Sequence, residues 1–231
     1  MKITKNQYGN TPLIVIGGLI VVALIIGVAV ATHKSKSTNV TMSASTTTGI
    51  TPSAEALSDN LVTLGVDHMT LTDQAVDAAL DGTADASAFA TALYANGNTI
   101  GAAVGSVYGS SAQTTFDSVW KLHLDEFVKY AVADKEGDAA GKTAALSAIQ
   151  TGYTVPLAQY LAKANPNLPE NTLQTDLSDH VAMTATMIDD HVQGNYTAET
   201  AELNMANQHI AAIFSTLASA IVKQYPNKFS N

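Results

Sequence analysis

Residues 116–137, FDSVWKLHLDEFVKYAVADKEG, decide the fold. Phe116, Trp120, His123, Phe127 and Tyr130 recur at spacings of four and three. That rhythm draws one apolar stripe along an α-helix. The stretch ends on Gly137, at the place where a helix stops on a residue of positive φ. The histidine sits inside the stripe, so it faces whatever the helix packs against.

The same pattern occurs twice more. Leu57, Leu61, Leu64, His68, Leu71 and Ala75 form one stripe, and Leu173, Leu177, His180, Thr184 and Met187 form another. His68, His123 and His180 are spaced by 55 and 57 residues, with a large apolar residue seven before each (Leu61, Phe116, Leu173) and a glycine fourteen after each (Gly82, Gly137, Gly194). An internal repeat of this length is one supersecondary unit used three times. Each unit continues into a second helical pattern: Phe89 to Val104, Leu146 to Leu161 and Leu203 to Ile221. Pro156 should kink the second of these. Asn165-Pro166-Asn167-Leu168-Pro169 reads as a loop between units. No alternating strand pattern of useful length appears. The spacing therefore predicts an all-α fold of six helices over residues 55–231, as three tandem αα-hairpins at about 57–109, 112–165 and 170–226.

The chain ahead of the repeat differs in kind. Residues 1–12 read as an N-terminal tail. Residues 13–31, LIVIGGLIVVALIIGVAVA, are uncharged throughout, and 19 residues at about 1.5 Å each cross a hydrocarbon core. This run reads as a transmembrane anchor, with a cleavable signal ending at Ala29-Val30-Ala31 and a pilin-type start as the competing readings. Residues 32–54 read as a flexible linker, rich in Ser and Thr and poor in large apolar groups. His33 beside the anchor reads as an interface residue. Asn39-Val40-Thr41 and Asn195-Tyr196-Thr197 match the N-glycosylation acceptor.

Composition narrows the function. The 231 residues carry a net charge of −9 and no Cys. Without Cys there is no disulfide framework and no thiolate chemistry. All 11 basic residues are lysine, and nothing could neutralise a row of phosphates, so nucleic acid is excluded as a partner. From Glu55 onward, 20 acids face seven lysines, a net −13. An acidic domain beyond an anchor and linker fits a single-pass protein of the cell membrane with its C-terminal domain extracytoplasmic. The expected partners are the membrane, through residues 13–31, and an envelope protein.

Because each histidine lies fourteen residues before its glycine, the three imidazoles should share one height, about 20 Å below the turns. Folding each hairpin about its turn brings His209 opposite His180, Asn98 opposite His68 and Tyr153 opposite His123. A polar layer in an apolar bundle must be satisfied internally or by a bound species. Both readings stay open. In one, Asn98 and Tyr153 satisfy the imidazoles. In the other, His68, His123, His180 and His209 ligate a transition metal (Zn, Cu or Fe, with haem ranked behind them), and Asp67, Asp179 or Asp176 orients a ring. His191 near the turn reads as solvated. Trp120 and Tyr130 read as core, and the adjacent pairs Asp125-Glu126 and Asp189-Asp190 as solvated faces. No catalytic triad, phosphate loop or dinucleotide fingerprint is present.

The repeat resembles a family of small exported or membrane-tethered bacterial helical proteins in which three helices each carry an embedded histidine. The resemblance spans Leu57 to Tyr225 and rests on His68, Gly82, Asn96, Tyr108, Gly109, His123, Asn165, Pro166, His180, Gly194 and His209. An Arg and a Trp often precede the first histidine of that family by six and three residues; here those positions are Val62 and Gly65. The resemblance implies the helical fold and supplies no reaction. The leading expectation is a non-enzymatic structural or binding domain at the envelope, followed by a metal-binding bundle, with acid/base catalysis third.

Overall fold

Gly82, Gly137 and Gly194 take φ of 69°, 71° and 73°, and each closes a helix in the same way. The amide just after each glycine reaches back five residues: Thr83 N–H donates to Ala78 at 3.0 Å, Asp138 to Ala133 at 2.8 Å and Asn195 to Asp190 at 2.8 Å. This is the Schellman closure that left-handed glycine permits. The repeat is thus present at the level of single hydrogen bonds.

The computed structural model describes residues 52–229. They comprise α1 (Pro52–Asp81), α2 (Ala86–Tyr108), α3 (Ser110–Glu136), α4 (Ala139–Ile149), α5 (Val155–Ala164), α6 (Glu170–Val192), α7 (Tyr196–Gln224) and a terminal turn, α8 (Pro226–Phe229). Among these residues there is no strand. The expected tail, anchor and most of the linker lie outside them. The helix begins at Pro52, three residues before the expected boundary, because proline's fixed φ and missing N–H suit a first helical turn.

The six predicted helices are found, with one difference. Pro156 does not merely kink its helix. The ring crowds the carbonyl four residues back and removes a donor. A π-helical turn, Gln150–Thr154, takes up the break, with Val155 N–H bonding to the Gln150 carbonyl. The inserted residue turns two consecutive side chains, Tyr153 and Thr154, fully into the core.

The hairpins α1/α2, α3/α4–α5 and α6/α7 close into a ring. α2 packs on α3, α5 on α6, and α7 returns to α1. The first helices of the hairpins, α1, α3 and α6, also touch one another pairwise. The arrangement is an approximate three-fold, with the histidine-bearing helices inside. α7 is long and apolar enough to cross a membrane by length and composition. Here it packs between α1 and α6 through its Ala206, Ile210 and Phe214 face and leaves the opposite face exposed.

Close packing of α2 on α3 depends on glycine. Gly97, Gly101 and Gly105 lie one turn apart. A Cβ at these positions would stand 2.8 Å from the Trp120 ring, 1.8 Å from Asp117 Oδ1 and 2.7 Å from Gln113 Oε1, respectively. Gly97 therefore gives Trp120 its place in the core. Gly97→Val should lower stability by roughly 1–3 kcal/mol through overpacking, read as a reduced urea midpoint with unchanged m-value.

Candidate metal centre

The three repeat histidines meet. His68, His123 and His180 are each 1% exposed, and a nitrogen from each lies within 4.8 Å of the others. The His68 ring centroid is 5.6 Å from that of His123 and 6.0 Å from that of His180. Aromatic rings wall the group. Trp120 stands 4.8 Å from His68 and 4.7 Å from His123. Tyr153 stacks on His123 at 4.2 Å with a 22° tilt, placed there by the π-helical turn. Phe116 stacks behind Trp120 at 5.0 Å.

Of the partners expected for the imidazoles, Asn98 is elsewhere, and Tyr153 stacks on His123 without a hydrogen bond to its nitrogens. Five of the six ring nitrogens, Nδ1 of His68 and both nitrogens of His123 and His180, are buried without a hydrogen-bond partner, as is Trp120 Nε1. A buried polar group left unpaired costs about 1–3 kcal/mol. Burial holds His68 down to about 3 and His180 down to about 4, helped by His180 and His209 respectively. Burial and then the two neighbouring imidazoles hold His123 well below its usual value; the Trp120 backbone opposes weakly. All three rings are therefore neutral at physiological pH, with lone pairs free of proton competition.

Several layer positions must be corrected. His209 is half-buried beside the group and outside it: its Nε2 donates to the Asp176 carbonyl at 2.8 Å. Asn98 is exposed. Folding about a turn fixes height along a helix, but the inward stripe fixes facing. On α2 that stripe is Leu93, Asn96, Gly97, Ile100 and Val104, and on α7 it includes Ala206, Ile210 and Phe214. Asn98 and His209 have the right height and the wrong face. Asn96 faces inward instead and donates to the Leu64 carbonyl at 3.0 Å. Asp67 and Asp179 are exposed, since sequence neighbours diverge by about 100° on a helix. Asp176 offers only its backbone, and to His209.

His191 was expected in solvent and is 7% exposed. Its Nδ1 lies 2.9 Å from Glu199 Oε1 and 3.0 Å from Asp77 Oδ1, and its Nε2 lies 3.3 Å from Asp81 Oδ1. Burial works against the charged ring, but the Asp77, Glu199 and Asp81 carboxylates outweigh it and raise the pKa. Burial pushes Asp77 up to about 7, with Asp73 adding to the shift, and Asp73 up to about 6, with Glu199 adding. The available signal was Asp73, Asp77 and Asp81, one turn apart on the histidine side of Gly82. The adjacent acid pairs also serve structure. Asp125 accepts from Tyr94 at 2.6 Å, and Asp189 accepts from Tyr130 at 2.7 Å and Lys142 at 2.8 Å.

Compared with protein families, curated proteins and solved structures, the chain matches none.

The two histidine groups pull stability in opposite directions with pH. Unfolded histidine protonates below about 6.5, while folded His68 and His180 resist until about 3 and about 4. Between those values the unfolded chain binds more protons, so stability falls as pH falls. At the turn end, folded Asp73 and Asp77 keep protons to about 6 and about 7, and unfolded carboxyls lose theirs near 4. There the folded chain binds more protons, and stability falls as pH rises; His191, raised, acts in the same sense. Thermal melts should peak at about pH 6. His123→Leu should flatten the acid limb, and Asp77→Asn the alkaline one.

Proposed function

We propose that this chain is a metal-binding helical bundle, held at the cell envelope by residues 13–31, with His68, His123 and His180 as ligands. The observation that carries the reading is the set of five buried ring nitrogens with no partner in the protein. Neutral imidazole is the ligating form, and it suits Zn, Cu, Fe and Ni. Metal–nitrogen bonds of about 2.0–2.1 Å place ligand nitrogens about 3.4–3.6 Å apart. Nitrogens already within 4.8 Å of one another would need to draw in by about 1 Å, within the reach of small χ rotations. The three ligands come from three different helices, so metal binding would tie α1, α3 and α6 together at their shared contact. His209, committed to the Asp176 carbonyl, has no place in this set.

Sequestration or sensing suits the sealed position better than turnover, because a substrate would need a path between packed helices. The acidic surface of the domain would gather cations. Full-length protein in detergent, stripped with chelator and reloaded, should hold one transition-metal ion per chain by elemental analysis. Loading should raise the melting temperature by several degrees, since a ligand at a hundred times its Kd adds about 2.7 kcal/mol. His123→Leu should abolish both the stoichiometry and the shift. Wild-type protein that takes up no metal and melts unchanged would return the layer to a purely structural role.

A further inference from the structure

We infer that the ion suited to this site is monovalent and three-coordinate, cuprous copper, and not a divalent cation. The inference rests on the metal reading above and goes beyond it by naming the chemical class of the ion. It follows from what surrounds the three imidazoles.

Among the described residues, no carboxylate joins the three imidazoles. Asp67 and Asp179, the acids next to two of the histidines, are exposed and face away. The buried carboxylates gather instead around His191, with Asp77 nine residues further along α1 than His68, a rise of about 13–14 Å. Tyr153 is fully buried and meets the group through its ring, stacked on His123 at 4.2 Å. A dication here would keep its full charge in an apolar setting. The cost of removing an ion from water grows with the square of its charge, so a monovalent ion meets about a quarter of that penalty.

Coordination number points the same way. Zinc on three histidines completes its shell with water or an anion. Here the three rings are 1% exposed, and the side chains stacked or edged against them are the aromatic rings of Trp120, Tyr153 and Phe127. None of these is an anionic ligand of the kind a divalent ion favours. A d¹⁰ cuprous ion is satisfied by three neutral nitrogens. Trp120, packed against both His68 and His123, adds the attraction of a π system for a cation without adding charge.

The test is an anaerobic titration of full-length apoprotein in detergent with Cu(I), in competition with bathocuproine disulfonate, beside a parallel titration with Zn(II) against a chromophoric chelator. One Cu(I) per chain is expected, bound at least a hundredfold more tightly than Zn(II). X-ray absorption should show three nitrogen scatterers and no sulfur, and the copper should remain silent in electron paramagnetic resonance after exposure to air. His123→Leu should lower Cu(I) affinity at least a hundredfold with its helical circular dichroism retained; His180→Leu serves if that variant does not fold. Zn(II) bound one per chain, as tightly as Cu(I) and lost in the same variant, would overturn the monovalent assignment and leave the metal reading standing. Failure to retain either ion would overturn both. Sulfur in the copper shell, a histidine-type Cu(II) signal in air, or undiminished Cu(I) binding by the variants would each overturn the inference.

Discussion

Three buried imidazoles meet where the inner helices of a closed helical ring touch, and the rest of the structure is arranged around that fact. Each is 1% exposed. Each comes from the inner helix of a different hairpin, and the three inner helices touch pairwise. Keeping neutral, unpaired imidazoles at the centre is unfavourable for a bundle that otherwise buries apolar side chains. The surrounding residues act to define the space rather than to satisfy the rings. Gly97 admits Trp120, the π-helical turn delivers Tyr153, and the hydroxyls of Thr72 and Thr184 turn back to the carbonyls of His68 and His180 at 2.8 and 2.9 Å. The nitrogens are left alone.

The two ends of the bundle answer polar burial differently. At the Gly82–Gly194 end, His191 is matched by three carboxylates from two helices: Asp77 and Asp81 from α1, and Glu199 at the start of α7. At the far end, Asn165 donates to the Tyr108 hydroxyl at 3.1 Å, Tyr108 donates to Gln224 at 3.0 Å, and Gln224 donates to the Ala164 carbonyl at 2.8 Å. His191 at one end and the Asn165–Tyr108–Gln224 chain at the other find partners, and five imidazole nitrogens in the middle do not. That contrast within one molecule makes the histidine layer the place to look for a ligand.

The hairpins and the central histidines could be read in the sequence because both follow from local rules. A four–three stripe states which residues face inward, and a glycine at a fixed offset states where the chain reverses. His68, His123 and His180 satisfy stripe and height together; Tyr153, placed by height alone, does reach the group, stacked on His123. Asn98 and His209 were placed by height alone, and the structure turns both away from the axis. The burial of His191 is legible only in part: Glu199 lies eight residues on and Asp73, Asp77 and Asp81 line up on α1, but α1 is some 110 residues away, and nothing local brings its acids to His191. The π-helical turn was legible only as trouble at Pro156. Whether such a break becomes a kink or an inserted residue depends on what Tyr153 and Thr154 meet once the ring has closed.

The contact of α7 with α1 has a topological consequence. At the same seam, the Ser53 hydroxyl donates to the Phe229 carbonyl at 3.2 Å, across 176 residues of chain. Beginning and end of the bundle therefore lie side by side, and the seam between the third hairpin and the first is equivalent in kind to the other two. No hairpin is inherently first. The Asn165–Pro169 loop would serve as well as the present termini for a chain break, with the existing ends joined instead. Only the α1–α7 seam must be made between remote parts of the chain, and loop-closure entropy makes such a contact slow to form. The histidine space is enclosed on all sides only once that last seam has shut.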